Sequence, residues 1–162
     1  MHIALVEPEI PGNTGSIGRV CVGTATTLHL VGRLGFSLDE KYVRRAGLDY
    51  WKNVQLREHA DFDALLGALP GCALHLFSAH AALRYDQVSY GADDVLVFGC
   101  ETKGLPVALR ERFADRLRYV PTNGRIRSLN LANVVTAVLF EALRQQGFAG
   151  IDRRPDQGPS GS

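Results

Sequence analysis

A glutamate among glycines, in Phe98-Gly99-Cys100-Glu101-Thr102-Lys103-Gly104-Leu105-Pro106, is the first stretch of this chain that could do chemistry. The second runs from Pro121 to Val135 and reads PTNGRIRSLNLANVV, placing Ser128 and Asn130 directly behind Arg125 and Arg127. Each opens after a short β-like run and sets Gly, Pro, Ser or Asn beside charged groups, the way a strand end presents backbone and polar side chains to a ligand. Two such loops imply one shared site. Asn13-x-Gly15-x-x-x-Arg19 adds an amide and a guanidinium near the start of the chain. Gly12, Gly15 and Gly18 follow a GxxGxxG spacing, neither the GxGxxG of a dinucleotide fold nor a GxxxxGK[ST] phosphate loop. These glycines serve equally well to let a helix pack closely on a neighbour, and the missing phosphate pattern argues against a nucleotide-dependent oxidoreductase.

The elements that must position these groups alternate. His2 to Glu7 reads as a buried strand, and Pro8 to Gly12 as a rigid turn out of it. Asn13 then suits an N-cap, with Ile17, Val20, Cys21 and Thr24 on one face of the helix that follows. Gly15, Arg19 and Gly23 share another stripe, which allows close approach around one long cation. Short strands are expected at 28–31, 54–56, 73–77, 95–98 and 117–120, and helices at 62–69, 106–113 and 129–146, the last with Leu131, Val135, Val138 and Leu139 on one face. This order predicts an α/β protein with a mainly parallel sheet flanked by helices.

A chain of 162 residues, 46% hydrophobic and 22% charged, suits one globular domain. That domain is expected over 1–150, with a disordered tail from 151 to 162 rich in Gly, Pro, Ser and charge. No apolar run approaches the ~20 residues of a membrane span, and the chain enters its first strand without a signal-like start, so a cytoplasmic protein with no membrane partner is expected. Cys21, Cys72 and Cys100 are too widely spaced for a CxxC site, and the histidines form no HxxxH or HExxH pattern, so no metal is expected. A net charge of +1 excludes binding nucleic acid by bulk electrostatics and leaves local patches. One is Arg116, Arg118, Arg125 and Arg127, in a window free of acid between Asp115 and Glu141. The other is Lys41, Arg44, Arg45 and Lys52 around Asp49, which can equally be a solvated face.

Taken together, IPGNTGSIGRVC, FGCETKGLP and RSLNLANVV resemble, in order, the three signature motifs of the SpoU (TrmH-like) branch of the SPOUT RNA methyltransferases. RRAGLDYW, from Arg44 to Trp51, resembles the subgroup that methylates the wobble nucleotide of tRNA. The resemblance covers residues 2 to 150. It implies an α/β knot, in which the C-terminal segment threads a loop as a trefoil, an exception to the usual rule against knotted chains. It also implies S-adenosylmethionine as methyl donor, with no metal, and a cofactor pocket lined by Phe77, Ser78, Gly99, Glu101, Gly104, Val120, Ser128 and Leu129.

A protonated ribose hydroxyl is a poor nucleophile, so it must be held close to the methyl group while charge developing on its oxygen is stabilised. By resemblance Arg19, Glu101, Ser128 and Asn130 form the catalytic set. A guanidinium with a pKa above ~12 rarely gives up a proton, so Arg19 is expected to bind phosphate or oxyanion. Glu101 can orient Arg19 or Asn13, or accept the proton itself. Ser128 and Asn130 can hydrogen-bond ribose or the arginine, yet both are also good helix-start residues. Asn13, Arg44, Arg45 and Arg127 are the expected RNA contacts. A Cys100 nucleophile acting on a cytosine base is a different chemistry, disfavoured because relatives commonly carry proline there and nothing nearby marks the thiol as activated. Lys103 and Gly12 stand where relatives carry Arg and Pro, and those changes bear on substrate preference.

The resemblance further implies a homodimer with its active site across the subunit interface, meeting the anticodon stem-loop of a tRNA. The implied target is position 34, cytidine or 5-carboxymethylaminomethyluridine, of leucine tRNAs. Another tRNA or rRNA ribose, or a noncatalytic RNA-binding protein on the same fold, are the competing expectations.

Overall fold

A computed structural model describes residues 1–37 and 50–151. Arg44 and Arg45 lie outside the described residues, as does nearly all of the expected tail. The elements in chain order are β1 (His2–Val6), α1 (Pro11–Gly23), β2 (Thr27–Val31), β3 (Leu56–His59), α2 (Phe62–Ala68), β4 (Leu74–Phe77), β5 (Leu83–Arg84), β6 (Val95–Phe98), α3 (Val107–Arg112), β7 (Leu117–Tyr119) and α4 (Leu131–Gln145). The strands form one seven-stranded sheet in the order β3-β2-β1-β6-β4-β7-β5, and every pairing is parallel.

Covering both faces of a parallel sheet requires strands apolar on both sides, and the central strands are. Ile3 and Leu5 point with Leu28, Leu30, Leu96 and Phe98 into a core closed by α1 and α4. Ala4, Val6, Val31, Leu76, Val95 and Val97 point the other way, against Phe62 and Leu65 of α2 and Leu105 before α3. α4 buries Val135, Val138, Leu139 and Ala142 at helical spacing, as its periodicity requires.

Several boundaries differ from those the sequence suggests. α1 starts at Pro11, and Ile10 stands at its N-cap without a side-chain cap. Proline at the first turn needs no amide partner, so Asn13 lies inside the helix and its side chain is free for another task. Trp51–Asn53 form a 3-10 turn, which moves the third strand to 56–59, later than the 54–56 expected. That turn is docked by Trp51, whose ring would lie 2.7 Å from a Cβ at Gly18, so Gly18 provides the close approach in α1. Gly15 is buried, its carbonyl accepting from the Tyr50 hydroxyl at 2.8 Å, while a Cβ at Gly23 would meet nothing within 4 Å. β5 has only two residues and no periodicity to reveal it.

A row of histidines crosses β1, β2 and β3. His29 Nδ1 lies 2.8 Å from His59 Nε2, and His29 Nε2 lies 3.0 Å from His2 Nδ1. Burial first, and then the charges of His2, His59 and Arg57, lower the His29 pKa from 6.5 to about 4. Between those two values the unfolded chain takes up a proton that the folded chain refuses, so stability falls as pH drops from 6.5 toward 4. Thermal unfolding across this window should show Tm decreasing with acid, with a shallower slope in His29→Gln. An unchanged slope would remove His29 as the cause.

Candidate functional site

In an open parallel sheet, ligands sit beyond the carboxyl ends of the strands, where the strand order reverses. Here the chain runs outward from β1 to β2 and β3, then crosses to the other side for β4. At that edge a cleft of about 980 Å³ gathers residues following β1 (Asn13), β4 (Ser78), β6 (Glu101), β7 (Val120) and those leading into α4 (Ser128, Asn130). Its size falls within the range of roughly 300–1,000 Å³ usual for small-molecule sites.

Backbone proximity shapes the loop after β6. Gly104, at φ +69°, turns back so that its N–H donates to the Cys100 carbonyl at 2.9 Å. A Cβ at Gly99 would lie 2.0 Å from the Gly104 carbonyl carbon, so only glycine lets the loop fold flat on its own stem. The apolar floor comes from Phe77 and Phe98, stacked at 4.6 Å, with Val120 and Leu129 also lining the cleft.

The polar side of the cleft is a relay. Glu101 Oε1 accepts from Asn13 Nδ2 at 2.9 Å and from the Ile10 N–H at 3.3 Å, while Oε2 accepts from the Glu9 N–H at 2.9 Å. Asn13 Oδ1 accepts from Asn130 Nδ2 at 2.9 Å, and Asn130 Oδ1 accepts from the Asn133 N–H at 3.3 Å. A carboxylate can only accept and a helix N–H can only donate, so the two ends fix both amide orientations. Asn130 therefore caps α4 and links to α1 at once. Glu7, at φ +52°, turns the chain sharply at the end of β1, and the next N–H groups, at Glu9 and Ile10, reach Glu101.

Phe77, Ser78, Gly99, Glu101, Gly104, Val120, Ser128, Leu129, Asn13, Asn130 and Arg127 all line this cleft. Arg19 does not. Its guanidinium lies 5.3 Å from the Tyr50 ring centroid, and Glu101 engages Asn13 rather than Arg19. Cys100 is half-buried, its sulfur 3.7 Å from the Gly104 carbonyl oxygen, with no cationic partner among the described residues. Among the described residues no group of three His, Cys, Asp or Glu could hold a metal ion.

Two residues escaped the sequence reading. Thr102 donates through N–H and Oγ to Glu9 Oε2 at 3.2 and 2.7 Å, and its carbonyl accepts from Arg127 at 2.9 Å. Arg110 reaches the cleft wall from α3, its Nε shielded from solvent and without an acceptor among the described residues. Thr102 lies within FGCETKGLP, but its partners Glu9 and Arg127 are remote in sequence, and Arg110 has neither periodicity nor motif to flag it.

The apolar floor, the flattened glycine loop and the few convergent polar groups suit a nucleoside-sized cofactor read largely through backbone, as S-adenosylmethionine would be. The model of the SpoU rRNA Methylase family matches residues 1–140. A tRNA (cytidine(34)-2'-O)-methyltransferase of Polaromonas sp. is 48% identical over 153 residues, 92% of this chain and 93% of that protein. A solved structure described as giving insight into the 2-OH methylation of C/U34 on tRNA superposes with a TM-score of 0.84 at 41% identity, covering 90% of this chain and 95% of that one. AviRb from Streptomyces viridochromogenes, a SpoU methyltransferase solved with S-adenosylmethionine, superposes with a TM-score of 0.77 at 26% identity, covering 90% of this chain and 57% of that one.

Proposed function

The chain belongs to the SpoU rRNA methylase family, and from that premise we propose that it is an S-adenosylmethionine-dependent tRNA 2'-O-methyltransferase acting on the wobble nucleotide, cytidine 34. The observation that carries the reading is the Glu101–Asn13–Asn130 relay, which joins all three sequence motifs on the rim of one cleft. The relative named for cytidine 34 and the structure concerned with C/U34 support the position. Modified uridine, as 5-carboxymethylaminomethyluridine, and leucine tRNAs as the substrates belong to the same proposal.

When bound, the cofactor supplies an electrophilic methyl group to a ribose 2'-hydroxyl. Phe77, Val120 and Leu129 provide apolar walls that exclude water, while Gly99 and Gly104 let backbone come close. Glu101 uses three of its four lone-pair sites on Asn13 and the Glu9 and Ile10 amides, so it acts as an organiser of the relay more than as a proton acceptor. Asn13, so held, and Ser128 face the ribose. Arg19 holds phosphate or stabilises the developing oxyanion.

Arg19 lies outside its own protomer's cleft, which supports a homodimer in which Arg19 of one protomer serves the cleft of its partner. Exposed Ile10, Leu129 and Phe140, at 46%, 41% and 46%, supply apolar surface for such a contact. The knotted path and a cytoplasmic setting are part of the same reading. No helix among the described residues is long and apolar enough to cross a membrane.

The protein should transfer a methyl group from S-adenosylmethionine to unmodified total tRNA, and nuclease digestion with mass spectrometry should find it on the 2'-oxygen of nucleotide 34. Methylation at another ribose would overturn the position, and no binding of S-adenosylhomocysteine would overturn the enzyme reading. Arg19→Ala and Glu101→Ala homodimers should each be inactive, while their mixture recovers at most about a quarter of wild-type activity through heterodimers with one intact site. A mixture as inactive as its components would argue against the shared site.

A further inference from the structure

Thr102 is the point where contacts from two other loops meet. Glu9, just after β1, accepts both the Thr102 N–H and hydroxyl on one carboxylate oxygen, at 3.2 and 2.7 Å. The clasp is reciprocal, because the Glu9 N–H donates at 2.9 Å to Glu101, the neighbour of Thr102. Arg127 in turn donates a guanidinium N–H to the Thr102 carbonyl at 2.9 Å. Residues 121–130 are exposed throughout. Among the described residues, the side-chain hydrogen bonds tying this loop to the body of the protein are those of Arg127 to Thr102, of Asn130 to Asn13, and of Asn130 to the Asn133 N–H at the start of α4. Ser128 and Leu129, between those ties, line the cleft.

An exposed loop with so few anchors is held by their geometry, since each backbone residue left unfixed retains about 1–2 kcal/mol of conformational entropy. Arg127 can hold the loop only if the Thr102 carbonyl is itself fixed, and Glu9 grips both donors of that residue. The bonds to Glu9 and from Arg127 are charge-assisted, which offsets part of their exposure to water.

We infer that Glu9, Thr102 and Arg127 form a latch that holds Ser128 and Leu129 against the cofactor, so that Glu9 and Thr102 are positioning residues and Arg127 retains cofactor whether or not RNA is present. The inference rests on the proposal that this cleft takes S-adenosylmethionine. It separates Arg127 from a simple phosphate contact. A phosphate ligand acts only when RNA is bound, and Glu9, itself anionic, has no reason to share such a role.

The test is calorimetric titration of S-adenosylhomocysteine into the full chain without RNA, using wild type, Arg127→Ala, Glu9→Ala and the double variant. Each single substitution should raise Kd about fivefold to tenfold, because Arg127→Ala removes the one bond to the Thr102 carbonyl and Glu9→Ala the two that fix Thr102. The double variant should be within about twofold of the weaker single, because a latch opens once. Thr102→Ser should bind as wild type does and Thr102→Val more weakly, while thermal unfolding shows all variants folded. Wild-type binding with unchanged affinity in both single variants overturns the latch alone. So does an Arg127→Ala effect confined to the KM for tRNA, with the salt slope of tRNA binding reduced by about 1. Multiplying effects in the double variant would show two independent contacts and also overturn it. No binding to wild type overturns the cofactor assignment together with the latch.

Discussion

Gly99→Ala should cost at least about 100-fold in affinity for S-adenosylhomocysteine, the largest loss expected from adding a single carbon to this protein. The added Cβ would sit 2.0 Å from the carbonyl carbon of Gly104 and 2.1 Å from the nitrogen of Leu105. Both are backbone atoms of a tight turn closed by the Gly104 N–H on the Cys100 carbonyl. No rotamer change relieves the contact, so the loop must lift from its stem and carry Glu101 with it. Gly104→Ala is the matched control in the same loop. It strains a φ of +69°, but its Cβ would meet nothing within 4 Å, so the expected cost is about 1 kcal/mol of stability with the cleft largely preserved. Calorimetric titration and thermal unfolding of both variants would decide the matter. Equal affinities in the two would mean that the close approach at Gly99 does not shape the cofactor site.

Glu101→Gln should be nearly as damaging to turnover as Glu101→Ala, lowering kcat by about 10²-fold or more. The carboxylate serves three N–H donors with two acceptor oxygens, Asn13 Nδ2 and the Ile10 amide on one, the Glu9 amide on the other. A carboxamide keeps one acceptor and turns the second into a donor, setting N–H against N–H on one side of the relay. If Asn13 turns over to adapt, its amide then faces the Asn130 NH2 with the wrong group, so the disturbance travels to the start of α4. Single-turnover methyl transfer should fall while the Kd for S-adenosylhomocysteine rises by less than about tenfold. Retention of kcat within threefold would show that the relay does not organise catalysis.

The sequence by itself determined the class of protein and most of the cleft. The short apolar runs of 3–6 and 95–98, and 28–31 interrupted only by His29, alternate with helical patterns and are too short for helices, so a parallel sheet with helices on either side followed from them. The glycine-rich and asparagine-rich loops could be placed on one edge because loops that follow parallel strands leave the sheet at the same end. Only the tertiary structure decided which polar groups meet. Asn13 reads as an N-cap from local preference, but its side chain pairs with Glu101, 88 residues away, and with Asn130, 117 residues away. Propensity is a local quantity and contains no information at that range. The same limit hid Thr102, whose importance comes from Glu9, 93 residues earlier, and from Arg127, 25 residues later. It also hid the placement of Arg19, which depends on which face of α1 the buried carbonyl of Gly15 and the ring of Tyr50 claim. Periodicity states which residues turn inward, whereas hydrogen-bond partnership depends on β1, β6 and β7 lying near one another in one parallel sheet, and that arrangement exists only once the chain has folded.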